Sequence, residues 1–276
     1  MAQITAADVN KLRQMTGAGM MDCKKALTEA NGDFENARQI IRERGQAIAN
    51  KRSDREASEG IVLAATNSNQ TLGIIVALKC ETDFVAKNID FVKLAESILN
   101  KALENNPATI DALKTIQLDG KTIAEKIIEQ TGIIGEKLEL GYYEKVEAAQ
   151  VGYYIHSDKK LATLVGFNKA GLNLQIGKDV AMQIAAMDPV AIDKDFVPQS
   201  VIEKEIEIGR HQAIADGKTG DLVEKIAQGK LGKFYKESTL LNQDFIKENK
   251  MSVKQYLQQA DKELTVTAFK RCSIKQ

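Results

Sequence analysis

Residues 59–84 read EGIVLAATNSNQTLGIIVALKCETDF, and the middle of this stretch decides what kind of fold the chain can adopt. Two apolar runs, 61–66 and 72–80, flank Asn67-Ser68-Asn69-Gln70, and such runs on either side of a short polar turn predict a β-hairpin. Leu72, Ile74, Val76 and Leu78 alternate along the second run and therefore line one face. Downstream, Phe91, Leu94, Ala95, Ile98 and Ala102 recur at helical spacing, which supplies a helix to cover that face. The order then returns: a strand at 151–156, a turn at 157–160, a strand at 161–167, and Ile176, Val180, Ile184 and Met187 at helical spacing. Between the two units, 123–130 reads as a helix and 137–149 alternates enough to add a third strand. The fold class is α+β, with a two-subdomain core of antiparallel sheets and helices.

Outward from this core, residues 5–44 predict a compact unit of three helices. Thr5-Ala6-Ala7-Asp8 opens the first helix as a capping box with Asp in place of Glu, and Val9 and Leu12 share its inner face. Thr16-Gly17-Ala18-Gly19 and Asn31-Gly32-Asp33 break the chain, and Phe34, Ala37, Ile40 and Ile41 mark the inner face of the third helix. Residues 45–58 carry charges and small residues without an apolar period, which predicts a linker after a helical start and a first module tethered, not fused. Toward the other end, 198–236 has helical periodicity broken by Asp216-Gly217-Lys218-Thr219-Gly220. This predicts an antiparallel helical hairpin with Val201, Ile206, Ile214, Leu222, Ile226 and Phe234 in its seam. A short helix at 252–259 and a strand at 264–272 close the chain. The predicted domains are 1–46 (three helices), 47–58 (linker), 59–139 (first core subdomain) and 140–276 (second), the last including the hairpin and a C-terminal module at 250–276.

Composition limits what this fold can do. Lys plus Arg and Asp plus Glu both total 38, so no global field draws the chain to nucleic acid or to an anionic membrane. No apolar run approaches the ~20 residues that span a bilayer. The start, Met1-Ala2-Gln3-Ile4-Thr5, has no basic segment leading into an apolar one, so a cytoplasmic location is expected. Cys23, Cys80 and Cys272 are odd in number and widely separated, which argues against a disulfide framework or a zinc site and for a reducing compartment.

The chemistry-bearing patterns mostly fail when tested. Gly217-Lys218-Thr219 ends like a phosphate-binding loop, but the glycine that the motif needs is Gln212 here, and a helix-ending turn explains these residues better. His156 and His211 have no partner at metal-ligand or catalytic spacing. The basic residues from Arg38 to Arg55 are interrupted by acids and lack the aromatics that stack on bases. The expectation is a protein that is not an enzyme, needs no cofactor or metal, and does not itself bind nucleotide, nucleic acid or membrane. Two features remain open. Met20 and Met21 point about 100° apart on a helix, so a small bundle either leaves one as an adaptable apolar contact or half-buries both. Phe84 faces the core with Phe91 if one helix runs from 83 to 102, but projects from the domain if Asn88 ends a short turn and Asp90 caps a new helix.

Two stretches carry a resemblance. Leu12-Arg13 followed by Thr16-Gly17-Ala18-Gly19-Met20-Met21-Asp22-Cys23-Lys24-Lys25-Ala26-Leu27, and Thr82-Asp83-Phe84-Val85-Ala86-Lys87-Asn88, together strongly resemble the bacterial elongation factor Ts family. Residues 225–234 and 251–257 are looser matches. The resemblance implies a guanine nucleotide exchange factor for elongation factor Tu, bound in its GDP and nucleotide-free forms. It implies that Thr82, Asp83, Phe84 and Val85 press near the magnesium site of Tu, that Leu12, Met20, Met21 and Lys24 grip a Tu helix, and that His156 meets a second Tu domain. The three-helix unit also resembles ubiquitin-associated domains, which leaves a polypeptide-binding adaptor without exchange activity as the alternative. A homodimer and a two-plus-two complex are both compatible with these residues.

Overall fold

The computed structural model describes residues 3–274 and is built of helices and antiparallel strands. Its first three helices are α1 (Ala6–Thr16), α2 (Met20–Glu29) and α3 (Phe34–Lys51). Thr5 and Asp8 close the expected capping box, and Asp33 caps α3 through a bond from Asn36 N at 2.9 Å. Leu12, Cys23, Ala26, Leu27 and Ala37 form a fully buried centre, with Phe34, Ile40 and Ile41 packed on it.

The linker expected at 47–58 is shorter than the sequence suggests, because α3 runs on to Lys51. The cause is a second packing partner, α7 (Ile123–Ile134). Gly45 of α3 lies against Gly132 of α7, and a Cβ on Gly132 would collide with the Cα of Gly45. Ile41, Gly45 and Ile48 are a helical period in which glycine stands where an apolar side chain would be looked for. Beyond α3, Arg52 pairs with Glu81 at 2.8 Å, and Lys137 Nζ donates to the carbonyls of Ser53 and Arg55. The three-helix module is thus packed on α7, and the segment leaving it is bonded to Glu81 and Lys137, which corrects the expectation of a loose tether.

β1 (Glu59–Thr66) and β2 (Leu72–Cys80) form the predicted hairpin, and β5 (Glu139–Glu147) adds the third strand, in the order β1-β2-β5. Residues 72–78 of β2 are buried on both faces, not on one. After β2 come α4 (Asp83–Ala86) and α5 (Ile89–Asn105), the latter burying Phe91, Ala95, Ile98, Leu99 and Ala102. A short helix, α6 (Ile110–Thr115), and a ribbon of β3 (Gln117–Leu118) and β4 (Lys121–Thr122) lead into α7, and no apolar period announced them.

The chain divides into two compact units, one of residues up to 63 and 76–143, the other of 64–75 and from 144 onward. The far end of the first hairpin belongs to the second unit because Gln70 and Thr71 carbonyls accept from Val151 N and Ala148 N. In that unit β6 (Gln150–Ile155), β7 (Leu161–Phe167) and β10 (Val266–Ser273) form an antiparallel sheet in the order β10-β7-β6. Helix α8 (Leu174–Met187) packs on it through Val180, Ala181 and Ile184. The buried carboxylate of Asp179 accepts from Gln175, Lys247 and Tyr256. Burial opposes its ionisation, but these donors outweigh that and hold it below the usual carboxylate range. They join α8 to the ribbon of β8 (Asp244–Phe245) and β9 (Glu248–Ser252) and to α11 (Val253–Ala260).

The helical hairpin forms from α9 (Gln199–Ala215) and α10 (Asp221–Ser238). Its seam is not the expected set of bulky residues. Gly209, Ala213, Val223, Ala227 and Leu231 are buried, whereas Ile214 and Leu222 are exposed. The helices approach so closely that a Cβ on Gly209 would lie 3.0 Å from the Cα of Ala227, and small residues take the seam. The turn between them is a Schellman motif, Lys218 N donating to Ala213 O and Gly217 N to Ile214 O, as the helix-ending reading of Gly217-Lys218-Thr219 requires. Among the described residues, no helix is long and apolar enough to cross a membrane.

Two glycine substitutions separate close approach from open helix surface. Gly132→Ala should lower stability in chemical denaturation by about 1–3 kcal/mol, since backbone must move to admit the methyl group. Gly229→Ala in α10, where a Cβ meets nothing, should raise it by about 0.5–1 kcal/mol.

Candidate partner-binding site

The end of β2 settles the question of Phe84. Asn88 takes an extended conformation, φ −66° and ψ 132°, and its side-chain oxygen accepts from Asp90 N at 2.8 Å. A helix cannot run through that residue, so α4 is a single turn and α5 begins afresh at Ile89. The cap is Asn88, not Asp90 as the projecting reading supposed. With the register broken, Phe91 is 1% exposed in the core while Phe84 is 82% exposed. Ile89, the first residue of α5, is exposed as well and was missed in the sequence. Its only signal is its place directly after a capping asparagine.

The neighbours of Phe84 divide by role. Ala86 is buried and Val85 half-buried, so α4 is anchored by one side. Asp83 pairs with Lys87 at 2.7 Å on the outer surface. Thr82, expected at the interface, commits its polar atoms inward: N–H and O–H to Glu136, and the carbonyl to Cys80 Sγ and Ala86 N. Burial, with Glu136 and Glu59 nearby, pushes the Cys80 thiol up to about 12, so it is no nucleophile at neutral pH.

A second exposed apolar group lies where α1 gives way to α2. Met20 is 56% exposed and Met21 64%, so both methionines are displayed, one more than the small-bundle reasoning allowed. Met15 is exposed on the other side of the same turn, and Lys24 lies one helical turn along α2. Leu12 is the exception among the expected contact residues. At 0% exposure it is the centre of the three-helix core and has no surface to offer a partner.

His156 is exposed at the β6–β7 turn of the second unit, its Nδ1 3.2 Å from the Tyr154 hydroxyl. Phe84 and the methionines belong to the first unit.

Against the family descriptions, residues 81–276 match the model for "Elongation factor TS". The chain belongs to the elongation factor Ts family. Proteins named elongation factor Ts agree with it along nearly their whole length. The one from Amoebophilus asiaticus is 53% identical over 273 residues, covering 98% of this chain and 99% of its own. The one from Porphyromonas gingivalis is 51% identical over 272 residues, 98% of each chain. That of Flavobacterium psychrophilum is 50% identical over 275 residues, 99% of this chain and 100% of its own. The family match begins at Glu81, two residues before the turn that carries Phe84.

Burial separates the two kinds of N-terminal residue experimentally. Leu12→Ala should cost about 2–5 kcal/mol in thermal or chemical denaturation. Met20→Ala and Met21→Ala should each stay within about 0.5 kcal/mol of the parent chain.

Proposed function

We propose that this chain is a guanine nucleotide exchange factor for elongation factor Tu, acting without any covalent step of its own. Membership of the elongation factor Ts family supports the partner, and the exposed ring of Phe84 supports the mechanism. A phenylalanine on a one-turn helix at a domain surface has the form of a wedge. Pressed beside the magnesium and phosphate pocket of Tu, together with Asp83, it loosens the metal and with it the bound GDP. Met20, Met21 and Lys24 hold a Tu helix meanwhile, the flexible methionines adapting to its surface. His156 provides a contact to another Tu domain.

Magnitude limits what the wedge can do alone. Burying one phenylalanine yields ~1.5–3 kcal/mol. A thousandfold faster release needs about 4 kcal/mol off the barrier. The remainder comes from the other contacts, which favour the open conformation of Tu. Linkage then requires GDP to weaken the Ts-type factor's binding by the same factor as the factor weakens GDP's.

Phe84→Ala should slow release of fluorescent GDP from Tu at saturating factor by about ten- to a hundredfold, from the lost burial. Its affinity for nucleotide-free Tu should fall by less. Unchanged release with weakened binding would contradict the wedge, and binding by the parent chain without release would favour a polypeptide-binding adaptor.

A further inference from the structure

Beyond the burial of Ala86, helix α4 has little of its own to hold its orientation. It is four residues long, far below the length at which a helix is stable in water. Its internal cap is weak, since Val85 N reaches Thr82 Oγ1 only at 3.5 Å. Asn88 also cuts it off from the rigid α5. Left to these local bonds, the turn would sample many orientations, and Phe84 would reach its pocket in only a fraction of them.

What fixes the turn comes from the segment after α7. Glu136 accepts from Thr82 N at 3.0 Å with one carboxylate oxygen and from Thr82 Oγ1 at 2.7 Å with the other. In the opposite direction, Glu81 accepts from Lys137 N at 2.6 Å and from Arg52 at 2.8 Å. Adjacent residues on two segments thus exchange carboxylate-to-backbone bonds, a reciprocal clamp across the base of α4. The backbone bond from Lys137, aided by Arg52, holds the Glu81 carboxyl below its ordinary range, as expected of an ionised acceptor. Thr82 is held at every polar atom, because its carbonyl also accepts from the Cys80 thiol at 3.1 Å. Hydrogen bonds to an ionised group are about twice as strong as neutral ones, so the two to Glu136 dominate the set.

We propose that Glu136 is a positioning residue for exchange, its carboxylate holding Thr82 so that Phe84 is presented in one orientation before Tu arrives. The proposal rests on the reading of this chain as an exchange factor. Its physical content is preorganisation: a segment ordered in advance does not charge its ordering entropy to the transition state. Glu136 touches no partner in this scheme and acts only through Thr82.

The test measures GDP release from Tu as a function of factor concentration, for the parent chain, Phe84→Ala, Glu136→Ala, Glu136→Gln, Thr82→Val and the Thr82→Val/Glu136→Ala double variant. Glu136→Ala should lower the maximal release rate about tenfold, equivalent to 1.4 kcal/mol, and raise the half-saturating concentration by less than about threefold. Glu136→Gln, which can accept with only one of its two atoms, should fall between. A merely structural role would remove folded molecules, leaving the maximal rate intact and shifting only the concentration needed. Because both side chains act through one bond pair, the double variant should be no slower than Glu136→Ala, whereas independent effects would multiply. Full maximal rate in Glu136→Ala, while Phe84→Ala is slow, overturns the proposal and leaves the exchange reading standing. Full rate in Phe84→Ala as well overturns the wedge, and no acceleration of release by the parent chain overturns the exchange reading itself. If Glu136→Ala does not fold, Glu136→Gln decides, and an unchanged maximal rate there overturns the proposal.

Discussion

A phenylalanine ring kept in water forgoes about 1.5–3 kcal/mol of burial, and the chain accepts that loss at Phe84 because Asn88 will not let one helix run through. Were α4 and α5 continuous, Phe84 would stand seven residues before Phe91, on the same face, and would be drawn into the core beneath the sheet. The extended conformation of Asn88 and its bond to Asp90 N put Phe91 inside and Phe84 outside. The exposed ring, the one-turn helix that carries it and the clamp beneath it all depend on that break.

Buried core and exposed surface are made by different residues in the N-terminal module. Leu12, Cys23, Ala26, Leu27 and Ala37 make a core small enough that it gains from leaning on α7, and the facing glycines Gly45 and Gly132 let the helices meet closely. Met20 and Met21 contribute nothing to that core and remain as adaptable surface. The same segment that leaves α3, around Arg52, reaches Glu81 at the base of the Phe84 turn. One unit therefore carries both the methionine surface and the exposed ring of Phe84, on a shared frame of helix packing and carboxylate bonds.

Much of this was legible in the residues. Two apolar runs around Asn67–Gln70 and helical spacing from Phe91 to Ala102 identified a hairpin and its covering helix, and the capping box at Thr5 and Asp8 marked the first helix. The failures share a physical cause. Close approach of helices selects small residues, so the seam of Gly209, Ala213 and Ala227, and the docking of Gly45 on Gly132, are invisible to a search for large apolar side chains. Leu12 showed the reverse error. A place in a family's contact motif does not distinguish a residue that touches the partner from one that shapes the surface around it, and complete burial puts Leu12 in the second class. Glu136 lies 54 residues from Thr82, and no local pattern could have paired them.

The central claim concerns the free chain before any partner is present, and one fluorophore can test it. The sequence contains no tryptophan, so Phe84→Trp places a single indole on α4 that can be excited selectively over the tyrosines. The free variant should emit as an indole in water and be quenched efficiently by iodide. A blue-shifted emission protected from iodide would mean that the side chain at position 84 packs inside its own domain, and the wedge would be contradicted.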